Sequence, residues 1–471
     1  MQQIEPHKTI RDNKFQGANG ATESEAAELQ GLSGLFDSFV TDFRPFFKTR
    51  TSNVFPQATQ FAKGLIQTRK LRNIERLDEE VPDTQYDRLH NFISSSPWDD
   101  TALCNAISTR ADAHLGGSPN TGLYIDPSSF PKKGKMSVGV GRQWCGRLGK
   151  VDNCQLGVFA SLGKDQHACL IDKKLRLPQS WIDDPQRCDK AKIPKEARVY
   201  HSNQELALQL IENADQNLVR YAWIGMDAEF AKPWLIHRLD RAGKEIMIDL
   251  SVKATVYAQN PKLRRQYNTG KSGKHAQLRV KAKPLAVGQW FHSLPGKKWR
   301  IIKVRDSSKG ILEVSAIRRK VWLVDEETDE PRLFQLIVRR DPCETSESGY
   351  TYKFSLSNAK RDTLKRLAYK QGQRFWVEQA IKDSKQGAGM AEYQVRLWRG
   401  WHHHVSMSIL VSLFMLEMRL KFGPTITLLS VNDVRELLIS LLPSKNSFAD
   451  RYVQMKKRHK QRRVTRMLNT G

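Results

Sequence analysis

Between Gly122 and Val252, apolar runs too short to be helices alternate with amphipathic helical segments, in an order that few folds accommodate. The run GLYID ends at Asp126. NCQLGVFASL (Asn153–Leu162) and HACLIDKKLRL (His167–Leu177) follow, joined by the turn-forming Gly163-Lys164-Asp165, which predicts an antiparallel meander. Ser202 and Glu205 then form a Ser-x-x-Glu capping box ahead of Leu206, Leu210, Ile211 and Ala214 on one helical face. YAWIGMD (Tyr221–Asp227) reads as a buried strand, Trp234 to Leu239 as a helix, and EIMIDLSV, from Glu245, as a strand.

The order β-β-β-α-β-α-β is the ribonuclease H-like arrangement, an α/β fold with a mixed sheet and helices on both faces. Around it the texture changes. Residues 1–28 are polar and read as a loosely ordered arm, and 29–115 are helical in period, an N-terminal helical region expected to bind DNA. The core is expected over 116–257. It is interrupted over 258–357 by a β-rich insertion with turn clusters such as SSKG, DEETDEP and ETSESG, and resumes over 358–412. A C-terminal helical region with a basic tail covers 413–471.

Lys and Arg number 77 against 50 Asp and Glu, a net charge of +27. Such an excess points to a polyanionic partner, and to nucleic acid rather than a membrane, because no apolar anchor accompanies it. The longest greasy stretch, Val405 to Leu416, is interrupted by Ser406, Ser408 and Ser412 and reads as a core helix. The first residues contain no apolar run that would serve as a signal peptide, so a cytoplasmic, nucleoid-associated protein with reduced thiols is expected. The six cysteines show neither CxxC pairing nor zinc-finger spacing.

Two carboxylates stand at the ends of core strands, Asp126 and Asp227. If those strands are neighbours, the two can meet at one end of the sheet, where hard Mg²⁺ ions would find oxygen ligands. With 50 acidic residues in the chain, either could instead be a solvated strand terminus. The helix QGQRFWVEQAIKDSK adds a second signal. At about 100° per residue, Arg374, Glu378 and Lys385 fall within roughly 40° of each other, a carboxylate flanked by two cations on one stripe. The same stripe could be an ordinary surface with intrahelical ion pairs.

The segments YIDPSSFPKKGKMSVGVGRQWCGRLGKVDNCQLGVF, LPQSWIDDP, WIGMD and RFWVEQAIKDSKQGAGMAEYQVRLWRGWHHH resemble the insertion-sequence DDE transposases, specifically those with a β-strand insertion and a Tyr-Arg-Glu-Lys signature. The resemblance runs from about Arg88 to Ser412. It implies a metal-binding triad of Asp126, Asp227 and Glu378 holding two Mg²⁺ ions, for which Mn²⁺ could substitute. It also implies phosphate contacts from Arg374 and Lys385. Three residues separate Arg374 from Glu378 and six separate Glu378 from Lys385, as in the signature. The signature's Tyr is replaced by Gln371, which could donate to phosphate in its place, and Pro127 follows the first Asp where an acid is common. The implied activity is cut-and-paste transposition by DNA end cleavage and strand transfer. The implied partners are double-stranded DNA with terminal inverted repeats, target DNA and a second copy of the chain in a homodimer. A non-catalytic DNA-binding descendant, or a ribonuclease H-like nuclease or resolvase, remain the alternatives.

No acid occurs between Asp249 and Asp306, while 14 Lys and Arg do, among them Arg264, Arg265 and Lys281, interleaved with aromatics such as Trp299. Cations neutralise phosphates and aromatic faces stack on unpaired bases, so these residues are candidate DNA contacts; the tryptophans could equally fill the core of the insert. In the family the insert holds a flipped base against an aromatic ring, a position that Phe334 resembles and for which Trp322 is the second candidate. The tail from Arg451 carries eight further cations and no acid. Adjacent residues point to different helix faces, so His402, His403 and His404 are expected to contact DNA or pack beside Trp398 and Trp401 rather than share a metal.

Overall fold

The computed structural model describes residues 28–471 except 70, 268–275, 308–309, 326–327, 344, 347, 427–428, 446–448, 451, 454, 457–458, 461–462, 464–466 and 468–471. The N-terminal arm, apart from residue 28, and much of the basic tail lie outside the described residues.

The core sheet is built from β1 (Gly122–Pro131), β3 (Lys150–Lys164), β4 (His167–Leu175), β5 (Trp223–Met226) and β6 (Ile246–Leu250), in the order β4-β3-β1-β5-β6. The β4-β3-β1 ladder is antiparallel and the β1-β5-β6 ladder parallel. Together with the helices packed on both faces, this is the expected ribonuclease H-like mixed sheet. The Ser202 capping box forms and starts α8 (Asn203–Gln216). Short helices α6 (Gln179–Ile182) and α7 (Pro185–Lys190) precede it, and α9 (Pro233–Arg241) connects β5 to β6.

β1 does not stop at Asp126. It continues to Pro131 because β3 is long enough to pair with it throughout, from Gly163 opposite Gly122 to Cys154 opposite Pro131. The start of β3 also takes β2 (Gly141–Cys145) on its other side. A close approach fixes β1 beside β5. A Cβ at Gly225 would lie 2.7 Å from the Tyr124 ring, so only glycine lets that ring lie flat there and meet Trp223 edge-on at 5.1 Å.

The β-rich insertion extends the core sheet rather than standing beside it. β14 (Tyr350–Ser357) pairs antiparallel with β6 and is followed outward by β13 (Pro331–Pro342), β12 (Gly310–Val324) and β11 (Arg300–Ser307). Two small ribbons, β7 (Thr255–Val256) with β10 (Leu285–Ala286) and β8 (Leu263–Tyr267) with β9 (Ala276–Val280), are separate from it, and α10 (Val287–Ser293) follows β10.

Helices α1 (Leu32–Asp42), α2 (Phe55–Gln67), α3 (Ile74–Glu80), α4 (Tyr86–Ser94) and α5 (Asp100–Leu115) precede the sheet. They share a core with α12 (Trp398–Phe422), which contains the greasy stretch and is buried along most of its length. Phe414 meets Phe36 at 5.0 Å and Phe39 at 5.3 Å. Among the described residues no helix is long and apolar enough to cross a membrane. α11 (Leu364–Gln386) precedes α12 and α13 (Val431–Leu441) follows it. All six cysteines are free thiols.

The three histidines pack rather than face DNA. His403 stacks on Trp98 at 3.7 Å, His402 lies 4.4 Å from Trp398, and His404 lies 4.9 Å from Tyr393 with its Nε2–H donating to the Gly389 carbonyl at 3.1 Å. Burial pushes the His404 imidazolium down to about 3, helped by nearby Lys132 and Arg72. In the unfolded chain the ring titrates near 6.5, so below that pH the unfolded state binds the additional proton and stability falls with pH. His404 alone is expected to remove about 3 kcal/mol between pH 6.5 and pH 4. A His404→Gln variant, unable to take up that proton, should show a shallower acid limb when urea midpoints are measured against pH.

Candidate metal centre and its surroundings

Ile125, Met226 and Ile248 are aligned across β1, β5 and β6. One residue further along each parallel strand stand Asp126, Asp227 and Asp249. Aligned positions on parallel strands point to the same face, so three carboxylates form a row at one end of the sheet. Asp227 has just left β5 and caps the short turn Ala228–Phe230, its Oδ1 accepting the Glu229 N–H at 2.8 Å.

α11 crosses this row. Thr363 caps its start, and Gln371, Arg374 and Glu378 follow at helical spacing along the side that meets the strands. Arg374 donates to Asp249 Oδ2 at 2.5 Å, to Glu378 Oε1 at 3.1 Å and, at the limit of hydrogen bonding, to Asp126 Oδ1 at 3.5 Å. Its side chain is 17% exposed, as is that of Asp126, whereas Glu378 is 61% exposed and reaches into solvent. Two turns on, Lys385 Nζ donates to the Ser129 carbonyl of β1 at 3.2 Å and lies over the Phe130 ring at 4.9 Å. Burial, with Arg147 beside it, brings the Lys385 ammonium down to about 8.

The acids strain against one another. Burial pushes the Asp126 carboxyl up to about 7; Arg374 opposes the shift, while Asp227, Glu378 and Glu229 add to it. Asp227 is also raised, by burial first, against Arg374 and the N–H groups of Glu229 and Phe230, with Asp249 adding repulsion. Carboxylates gathered at this cost call for a cation, and oxygen-only donors suit a hard divalent ion. Among the described residues no three acidic, His or Cys side chains already close around one point. Arg374 lies between them and serves as their counter-ion. The donor chemistry of these acids suits a hard divalent cation.

The structure thus brings Asp126, Asp227, Glu378, Arg374 and Lys385 to one end of the sheet. Two of the other expected residues do not fit the roles assigned to them. Gln371 is buried, and its Nε2 donates to Ser355 Oγ at 2.7 Å, because its side of α11 is turned toward β14; it is not available to a phosphate. Phe334 is fully buried on β13, opposite Val321 and edge-on to His237 at 5.8 Å, so no base can reach its ring. Trp322 is half-buried on β12, its backbone bridged to Tyr257. Trp299 is half-buried, with the Arg340 guanidinium over its ring at 4.4 Å; the same guanidinium lies 4.4 Å from the Tyr350 ring. Arg264 and Lys281 are exposed on and just after the β8–β9 ribbon, and Arg265 sits on β8 with its side chain outside the described set.

Sequence reasoning missed Asp249 and Glu229. For Asp249 a signal existed: it is the single charged residue within the apolar run Ile246–Leu250.

A model of the DDE superfamily endonucleases matches residues 43–311, more than half of the chain. The chain belongs to this family. The matched region of this DDE endonuclease contains Asp126, Asp227 and Asp249 and ends within β12, so Glu378 lies beyond it and is tied to the site by geometry alone. A search of curated proteins found no match.

Proposed function

We propose that this DDE endonuclease is a transposase that moves an insertion sequence by cut and paste. The observation that carries the reading is the Arg374-bridged gathering of Asp126 and Glu378 beside Asp227. Asp126, Asp227 and Glu378 would hold two Mg²⁺ ions, or Mn²⁺ in their place. When bound, such ions supply an activated water and neutralise charge on the leaving oxygen.

The chain's own residues do the rest. Arg374 and Lys385, about three turns apart on one side of α11, place cationic donors beside the carboxylates, where they orient and neutralise the phosphodiester. The attacking water oxygen forms a bond to phosphorus, the bond from phosphorus to the 3′ oxygen breaks, and a 3′-OH is left. That hydroxyl then attacks a target phosphodiester in line, releasing the target's own 3′ oxygen, and no bond to protein forms.

The basic insert and tail supply the charge that holds double-stranded DNA carrying terminal inverted repeats, and then target DNA. Two element ends must be joined, so a homodimer formed on DNA completes the reading, acting on chromosomal or plasmid DNA in the cytoplasm. The test uses linear DNA with and without the sequences that flank the gene, together with a circular target. Expected are Mg²⁺-dependent 3′-OH ends at the flanking repeats and their joining to the circle. Equal cutting of DNA lacking the repeats would replace the transposase by a general nuclease.

A further inference from the structure

We propose that Asp249 is a positioning residue that holds Arg374 back from the metal ligands, so that the guanidinium serves as counter-ion to the acidic row and yields when a divalent cation enters. The inference rests on the reading of Asp126, Asp227 and Glu378 as the metal holders.

Arg374 divides its donors unequally. One terminal nitrogen, Nη1, is committed to Asp249 at 2.5 Å, and the other, Nη2, reaches both Glu378 at 3.1 Å and Asp126 at 3.5 Å. Asp249 is fixed from behind. Ser355 stands directly opposite it across the β14–β6 ladder and donates from Oγ to Asp249 Oδ1 at 2.5 Å. Ser355 is fully buried and receives in turn the amide of Gln371 at 2.7 Å. The chain Gln371–Ser355–Asp249–Arg374 therefore starts on α11, passes through the insert and the core sheet, and returns to α11 one turn before Glu378.

Both Asp249 oxygens are thus already engaged, one by a buried hydroxyl and one by the guanidinium. A divalent cation entering beside Asp126 repels Arg374, and the half of the guanidinium free to leave is Nη2, which has the longer contacts. Nη1 stays on Asp249. Asp249 sets how far Arg374 withdraws and so where its charge lies for a phosphate. This gives a physical role to Gln371 as well: it anchors the serine that orients Asp249.

The test measures Mn²⁺ binding to the full-length, DNA-free protein by electron paramagnetic resonance, independently of activity. Without Asp249, Arg374 pairs fully with Asp126 and Glu378 and competes with the ion, so Asp249→Asn should weaken Mn²⁺ binding about tenfold. Arg374→Gln should strengthen it. In the Arg374→Gln background, Asp249→Asn should have no further effect, because the positioning role acts only through Arg374. Ser355→Ala, a milder change for use if Asp249→Asn does not fold, should weaken binding in the same direction and lose its effect in the same background. An equal loss with and without Arg374 would make Asp249 a direct ligand and overturn the proposal, as would unchanged affinity in Asp249→Asn. Absence of Mn²⁺ binding by the wild-type protein is a different failure, which removes the metal reading itself.

Discussion

Asp126→Asn, Asp227→Asn and Glu378→Gln should each lower Mg²⁺-dependent cleavage of end-bearing DNA by about 10³-fold or more, equivalent to about 4 kcal/mol of transition-state stabilisation. Each substitution removes one anionic oxygen donor while keeping the side chain's shape. DNA retention on a filter should change only a few-fold, since on the proposed reading binding would draw on the many cations of the insert and tail. The three positions differ in what the loss does to the resting protein. Asp126 is mostly screened from water and repelled by its acidic neighbours, so Asp126→Asn relieves a strain and should leave the fold at least as stable. Glu378 is exposed, and its pair with Arg374 contributes little stability, so any loss of cleavage in Glu378→Gln is a functional loss. Wild-type cleavage by any one variant would remove that residue from the metal site.

Phe334→Ala should destabilise the protein by about 3–5 kcal/mol in urea unfolding, the range for emptying a well-packed aromatic site. The ring is fully buried between Val321 on the neighbouring strand and His237 on α9, so its loss leaves a cavity where the extended sheet meets a core helix. A residue that only stacked on a flipped base would show the opposite pattern, with normal unfolding and impaired processing of DNA ends. Unchanged stability in Phe334→Ala would therefore contradict the buried position.

Much of the candidate site's arrangement was legible because its parts are local. An apolar run that ends in Asp126, another that ends in Asp227, and a helix that repeats Arg374, Glu378 and Lys385 on one stripe are patterns set by the periods of strand and helix. The Ser202 capping box is equally local, and it forms as expected. The insert was also readable as β-rich. What could not be read was its attachment: nothing in YTYKFSLS says that this strand pairs with β6 and so carries Ser355 to Asp249. Gln371 shows the same limit. Its spacing from Arg374 suited a phosphate donor, but the approach of β14 turned it into an internal strut.

By itself the sequence determined the order and kind of elements, the acids that end two core strands, and the concentration of charge in the insert and tail, because each depends on residues a few positions apart. Only the tertiary structure decided that β1 lies between β3 and β5, that Asp249 joins the acidic row, and that Arg374 pairs with Asp126 and Asp249 within it. Those outcomes depend on which strand edges meet, and strand pairing brings together residues as distant in sequence as Ile125 and Met226, or Asp249 and Ser355, whose affinity for each other no local pattern records.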